Sequence, residues 1–168
     1  EAQRRSLPDF HPPVTAENVE RVYTGWSPLQ KVDLYTFADD VLLGFYNGFW
    51  QWWSASSTDH AYAFPGYSLL YEAAQVEGRD VIVIGSGAGM GLLHLERLAP
   101  RSRTALELDP LVVELAAGEF ATYNDDVYAR VPVHAIDARA YLDASDALHD
   151  VMIYEGSFLT SAHPRVAV

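Results

Sequence analysis

Residues 81–91 read VIVIGSGAGMG. Val81, Ile82, Val83 and Ile84 form a short β-branched run that ends in glycines, and a helical pattern follows. Such a run reads as a buried parallel strand turning into a helix. Gly85, Gly87 and Gly89 let the backbone turn sharply and admit a ligand where a Cβ would block it. The helix after them opens with unbonded N–H groups. Twenty-two residues beyond Gly85 comes Glu107, at the end of a second strand-like run, TALELDP over 104–110. An acid about that far past a glycine loop is where α/β nucleotide folds accept hydrogen bonds from a ribose. The bland alternative is a glycine-rich turn with no ligand. Met90 stands where the NAD fingerprint wants a third glycine or alanine, so a nicotinamide dinucleotide is disfavoured.

Downstream, Asp109 and Pro110 read as cap and first residue of a helix to about residue 121, with Val112, Leu115 and Ala116 inward. VPVHAI (131–136) predicts a third strand that starts after Pro132. Asp137 follows at once, as ligand group or plain helix cap, with Ala138, Tyr141 and Leu142 on a helix face. DVMIY (150–154) predicts a fourth strand, ending at Glu155. Gly85, Glu107, Asp137 and Glu155 then all fall at carboxyl ends of strands, where open α/β sheets bind ligands.

Upstream, residues 1–14 carry three prolines and two adjacent arginines and read as an irregular arm. Thr15 caps a short helix expected over 15–23, with Ala16, Val19, Val22 and Tyr23 on one face. Residues 26–53 are rich in aromatics and contain Asn47-Gly48, a hairpin signal. Strands are expected over 31–37, 41–46 and 49–53. Phe45, Tyr46, Phe49, Trp50, Trp52 and Trp53 fall on both faces, for packing on the main domain, a homodimer contact or a substrate wall. Pro65-Gly66 opens a helix to about residue 75, with Tyr67, Leu70, Tyr71 and Ala74 at helical spacing, ended by Gly78. The expected organisation is an arm and helix over 1–25, a small antiparallel β region over 26–64 and a Rossmann-like nucleoside-binding domain over 65–168.

The chain has 168 residues, 49% hydrophobic and 20% charged, enough for a domain with its own core. No run is long and apolar enough to span a bilayer. With no cysteine there is no thiolate site or nucleophile, which fits a cytoplasmic setting. A net charge of −12 argues against a nucleic-acid partner and suits either a cationic substrate or simple solubility. Six histidines show no paired metal spacing, so no metal is expected. Gly85-Ser86-Gly87 is not a hydrolase elbow. The loop Asn124-Asp125-Asp126 lacks the ligand spacing of a calcium site.

The spacing Gly85-x-Gly87-x-Gly89 resembles the first motif of class I S-adenosylmethionine-dependent methyltransferases. It is more similar still to the spermidine synthase group of that superfamily, whose loop reads about GGGDG and whose second strand ends in EIDP, against GSGAG and ELDP here. The group's DGxxQ, followed by an acid and a tyrosine, resembles Asn47-Gly48-Phe49-Trp50-Gln51 and Asp59-His60-Ala61-Tyr62. Trp26-Ser27-Pro28-Leu29 also looks like large bacterial proteins carrying a spermidine synthase-like domain.

The resemblance implies a doubly wound, mostly parallel α/β sheet of the class I methyltransferase type behind a small antiparallel hairpin region. It also implies about three further strands beyond Val168, in a longer protein or from a partner. S-adenosylmethionine or its decarboxylated form would be the cofactor. Gly85, Ser86, Gly87 and Gly89 would pass its tail. Glu107, with Leu108 beside it, would hold the ribose, and Asp137 and Ala138 the adenine. Gln51 would touch the nucleoside, Tyr62 would line the amine site, and Glu155 would be the base that takes a proton from the attacking amine. The chain departs from the pattern at Ala88, where the group has an acid facing the cofactor's amine, at His94 for glutamate, at Glu155 for aspartate, and at Ser157, Phe158 and Leu159, where a DP pair is missing. The implied activity is aminopropyl transfer to a polyamine. Ala88 leaves methyl transfer to a small molecule as an alternative, and a catalytically inactive binding or assembly module as another.

Overall fold

The computed structural model of the chain describes residues 17–37, 41–56 and 71–155. These hold two four-stranded sheets. The first is antiparallel, in the order β1 (Val19–Trp26), β2 (Lys31–Phe37), β3 (Val41–Tyr46), β4 (Phe49–Ala55). Its three later strands lie where the alternation placed them. The expected helix over 15–23 is overturned: from Val19 the chain is strand, paired with β2 from Val19↔Phe37 to Trp26↔Lys31. Spacing alone favoured one helical face, but a helix that short is marginal in water. Val19, Val22, Tyr23 and Thr24 suit a strand, and the edge of β2 supplies the partner.

At Asn47-Gly48 both φ angles are positive, 52° and 83°. This is the mirror-image turn whose twist matches a tight hairpin. It joins Tyr46 to Phe49 across β3 and β4. Further along, the register slips by one: Phe45 faces Trp50 and Gly44 faces Trp52, so Gln51 is the extra residue of a bulge. A bulge re-aims the side chains next to it.

The second sheet is parallel, in the order β7-β6-β5-β8, from β5 (Asp80–Ile84), β6 (Ser102–Glu107), β7 (Val133–Ala135) and β8 (Val151–Tyr154). Helix α1 (Met90–Glu96) crosses from β5 to β6, α2 (Pro110–Ala117) and two 3-10 turns lead to β7, and α3 (Ala138–Ala144) leads back to β8. The order reverses between β5 and β8. Val81, Ile82 and Val83 are fully buried, as a central strand covered on both faces requires.

Val112, Leu115 and Ala116 do form the buried face of α2. The helix stops at Ala117, short of the expected residue 121, because Gly118 leaves helical geometry. β7 starts after Pro132, as its missing N–H suggested. Among the described residues helix α3 buries none of its own; Leu142 is exposed, and Tyr141 meets the His134 ring of β7 with centroids 5.0 Å apart. Residues 71–73 are helical and Tyr71 is fully buried. The Pro65-Gly66 start of that helix and the 1–14 arm lie outside the described residues.

The two sheets share their core. Val32, Leu34 and Leu42 pack on Val112, Leu115 and Phe120, while Phe37, Val41, Leu43, Trp53 and Ala55 gather around Met90. Each large side chain so buried contributes about 1.5–3 kcal/mol. Among the described residues no helix is long and apolar enough to cross a membrane.

Candidate functional site

Strand pairing sets Gly85, Glu107, Asp137 and Glu155 along one rim. Gly85 N–H donates to the Leu106 carbonyl at 2.8 Å, and Ile136 N–H to that of Glu107 at 3.0 Å. On the other side Glu155 N–H donates to the Ile84 carbonyl at 2.8 Å. At about 4.8 Å between neighbouring strands, the rim from β7 to β8 spans about 14 Å. Gly85 and Glu155 flank the point where the strand order reverses, which is where such sheets open a crevice.

The loop's conformation needs its glycines. Gly85, Gly87 and Gly89 have φ of 79°, 54° and 93°. Ser86 and Ala88 between them, and Met90 after them, are buried. Tyr128, from the second 3-10 turn, donates its hydroxyl proton to the Gly87 carbonyl at 2.5 Å, which leaves Ser86 to donate to Tyr128 at 2.9 Å. Burial pushes the Tyr128 hydroxyl well above its ordinary value. Asn124 is fully buried and spends both amide protons, on the Ala88 carbonyl at 3.0 Å and the Ala116 carbonyl at 2.9 Å.

Glu107 is 6% exposed. Its Oε2 accepts from Gly87 N–H at 2.8 Å and its Oε1 from Asp109 N–H at 3.0 Å. Burial raises the Glu107 carboxyl above the usual range, against backbone hydrogen bonds from Asp109, Gly87 and Leu108, which favour the charged form. Asp109 caps α2 at Leu111 N–H, 3.0 Å away, and also takes the Ser27 hydroxyl at 2.8 Å and the Gln30 amide at 3.0 Å. Leu108, between these acids, is 54% exposed.

Asp137 is the cap of α3, accepting from Arg139 N–H at 2.9 Å and Ala140 N–H at 3.3 Å. The Arg139 guanidinium and the helix N–H groups hold its carboxyl below the usual range. Ala138 is the first residue of that helix. Glu155 is half-buried as a residue, but its head is enclosed against Gly91 of α1 and the Tyr71 hydroxyl, so closely that a Cβ on residue 91 would collide with both. Its Oε1 accepts no hydrogen bond among the described residues. Burial alone pushes its carboxyl up to about 8.

Gln51 stands at the bulge of β4, half-buried. The next residue, Trp52, lies over the loop: a Cβ on Gly87 would be 3.2 Å from the Trp52 ring. Its indole N–H donates to the Tyr46 hydroxyl at 2.9 Å. Tyr62, with Asp59, lies outside the described residues. So do Ser157, Phe158 and Leu159.

No protein-family model matches the chain, and no curated protein matches it in sequence. Solved structures do match. Spermidine synthase from Thermotoga maritima superposes with a TM-score of 0.63 at 18% identity, over 80% of this chain and 48% of that one. A spermidine synthase in complex with the transition state analogue AdoDATO gives 0.64 at 18% identity, over 82% and 47%. The chain has the spermidine synthase fold. It spans about half the length of those two synthases.

Within that fold, motif reading found the rim residues but not what holds them. Tyr128 and Asn124 come from 3-10 turns with no motif, and no spacing links Ser27 and Gln30 to Asp109, some 80 residues on. Trp52 stood out only as one aromatic among six. The available signal was Gly44, the glycine that faces it across β3 and leaves room for an indole.

Proposed function

We propose that this chain is the nucleoside-binding part of a spermidine synthase-like transferase, taking decarboxylated S-adenosylmethionine or S-adenosylmethionine. One observation carries the reading: a glycine loop and a carboxylate sit in hydrogen-bond contact, Gly87 to Glu107 at 2.8 Å, beside the reversal of strand order. The Glu107 carboxylate would accept from ribose hydroxyls, Leu108 would give the adenine an apolar face, and Asp137 with the Ala138 N–H would meet its edge. Gln51 and Tyr62 would close the site over nucleoside and amine. The net charge of −12 suits a polyamine acceptor.

Glu155 would serve the chemistry. A neutral amine attacks the propyl carbon beside the sulfonium; the C–N bond forms, the C–S bond breaks, and sulfur keeps the electron pair as a thioether. The proton shed by the new ammonium goes to the Glu155 carboxylate. A carboxyl pushed up to about 8 accepts a proton readily once ionised, and the approaching cations favour that ionised form. The phenol of Tyr71 and the absence of a side chain at Gly91 shape the space around it.

A second reading, a binding or assembly module that keeps the fold without the reaction, is favoured by Ala88, a buried methyl where an amine would need a carboxylate. Titration calorimetry with S-adenosylmethionine, its decarboxylated form and methylthioadenosine, followed by product analysis with putrescine and spermidine, separates the two. Binding with aminopropylated product supports the transferase. Binding without turnover supports the module, and no binding of any of the three removes the transferase.

A further inference from the structure

The chain's own Trp52 lies over the glycine loop, against Gly87. Three features hold the indole there. The bulge at Gln51 aims it, Gly44 opposite leaves space that any side chain would take, and the Tyr46 hydroxyl receives its N–H at 2.9 Å. The indole edge lies on Gly87, 3.2 Å from where a Cβ would stand, and the ring packs into the cores of both sheets. In α/β nucleotide sites the part of the ligand beyond the ribose passes along this loop. Leu108 and Asp137, on the β6 and β7 side of the rim, are by contrast exposed or half-exposed.

Resting on the nucleoside reading above, we propose that Trp52 is the specificity-determining residue of this site. As folded, the site takes an adenosine with a short uncharged 5′ substituent, and a ligand with a charged tail at the 5′ sulfur binds only by displacing the indole from Gly87. Two observations act in the same direction. Displacement breaks the Trp52–Tyr46 hydrogen bond, and Ala88 in the loop has only a buried methyl, with no charge to compensate. A buried polar partner left unpaired costs about 1–3 kcal/mol, which is about fivefold to 150-fold in affinity.

The experiment compares Kd values of adenosine, methylthioadenosine, S-adenosylmethionine and decarboxylated S-adenosylmethionine for the whole chain and for Trp52→Ala. The expected wild-type result is binding of the first two at least about tenfold tighter than the last two. In Trp52→Ala the ratio falls to within about threefold, by tightening of the tailed ligands. The inference is overturned if wild type binds all four alike, or if a folded Trp52→Ala keeps the wild-type ratio. Should that variant not fold, 5-fluorotryptophan-labelled wild type decides, with the Trp52 resonance assigned through Trp52→Phe. Tailed ligands must shift that resonance far more than adenosine does, and equal shifts refute the inference. Adenosine binding with a flat ratio sinks this inference alone; no binding of any nucleoside sinks the nucleoside reading with it.

Discussion

Replacing Glu155 by glutamine changes how stability depends on pH, and the structure sets both sign and size. Burial against Gly91 and Tyr71 raises the Glu155 carboxyl from an ordinary 4.5 to about 8 in the folded chain. The folded state thus holds a proton that the unfolded state releases near 4.5. Stability from this group is fully present below pH 4.5, declines as pH rises, and is gone above about 8. The decline has a slope of at most about 1.4 kcal/mol per pH unit, for a ceiling near 5 kcal/mol across that window. Glutamine keeps the shape and cannot ionise, so Glu155→Gln escapes the decline. Glu107, also raised, is common to both proteins and cancels in the difference. Urea unfolding followed by tryptophan fluorescence at pH 5, 6, 7 and 8 measures it. The variant should match or trail wild type at pH 5 and lead it by about 3–5 kcal/mol at pH 8. Two stability curves that run parallel over this range, within about 1 kcal/mol, would refute the enclosed carboxyl and with it a base tuned by burial.

Asp109→Ala removes a helix cap worth about 1 kcal/mol and two hydrogen bonds to a charged group, and should cost about 3 kcal/mol or more in urea unfolding. Gly89→Ala combines a φ of 93° with a Cβ 2.7 Å from Val127, so it should lose about 2 kcal/mol or more. Gly48→Ala, with φ 83° and nothing within 4 Å of its Cβ, should lose only about 1 kcal/mol, both glycine variants being measured by urea unfolding. Glu107→Gln leaves Gly87 or Asp109 N–H facing an amide in place of a carboxylate; calorimetry should show nucleoside affinity down by about tenfold or more.

The parallel half of the fold was legible because its signals are local. Val81, Ile82 and Val83 are apolar on both faces, the glycines need positive φ, and Asp109-Pro110 is a cap followed by a first helical residue. Glu107 and Gly85 could be placed at neighbouring strand ends by chain order alone. The short helix read at 15–23 failed because β1 is decided by a partner strand, a tertiary effect that spacing does not carry. For α3 the pattern Ala138, Tyr141, Leu142 marked one helix face, and of these Tyr141 meets the His134 ring of β7 while Leu142 stays exposed. The grip of Tyr128, Asn124 and Trp52 on the glycine loop was not legible, for a shared reason. Each holds the loop across a long sequence separation, by a bond or an indole contact that no short motif encodes.

The tie from Ser27 and Gln30 to Asp109 makes the antiparallel sheet a structural partner of the parallel one. Excising residues 65–168 as an autonomous module would strip Val112, Leu115 and Phe120 of their cover and leave a buried carboxylate short of two donors. The two halves therefore melt as one unit, and chimaeras that exchange the hairpin region between related chains must carry Ser27, Gln30 and Trp52 across together.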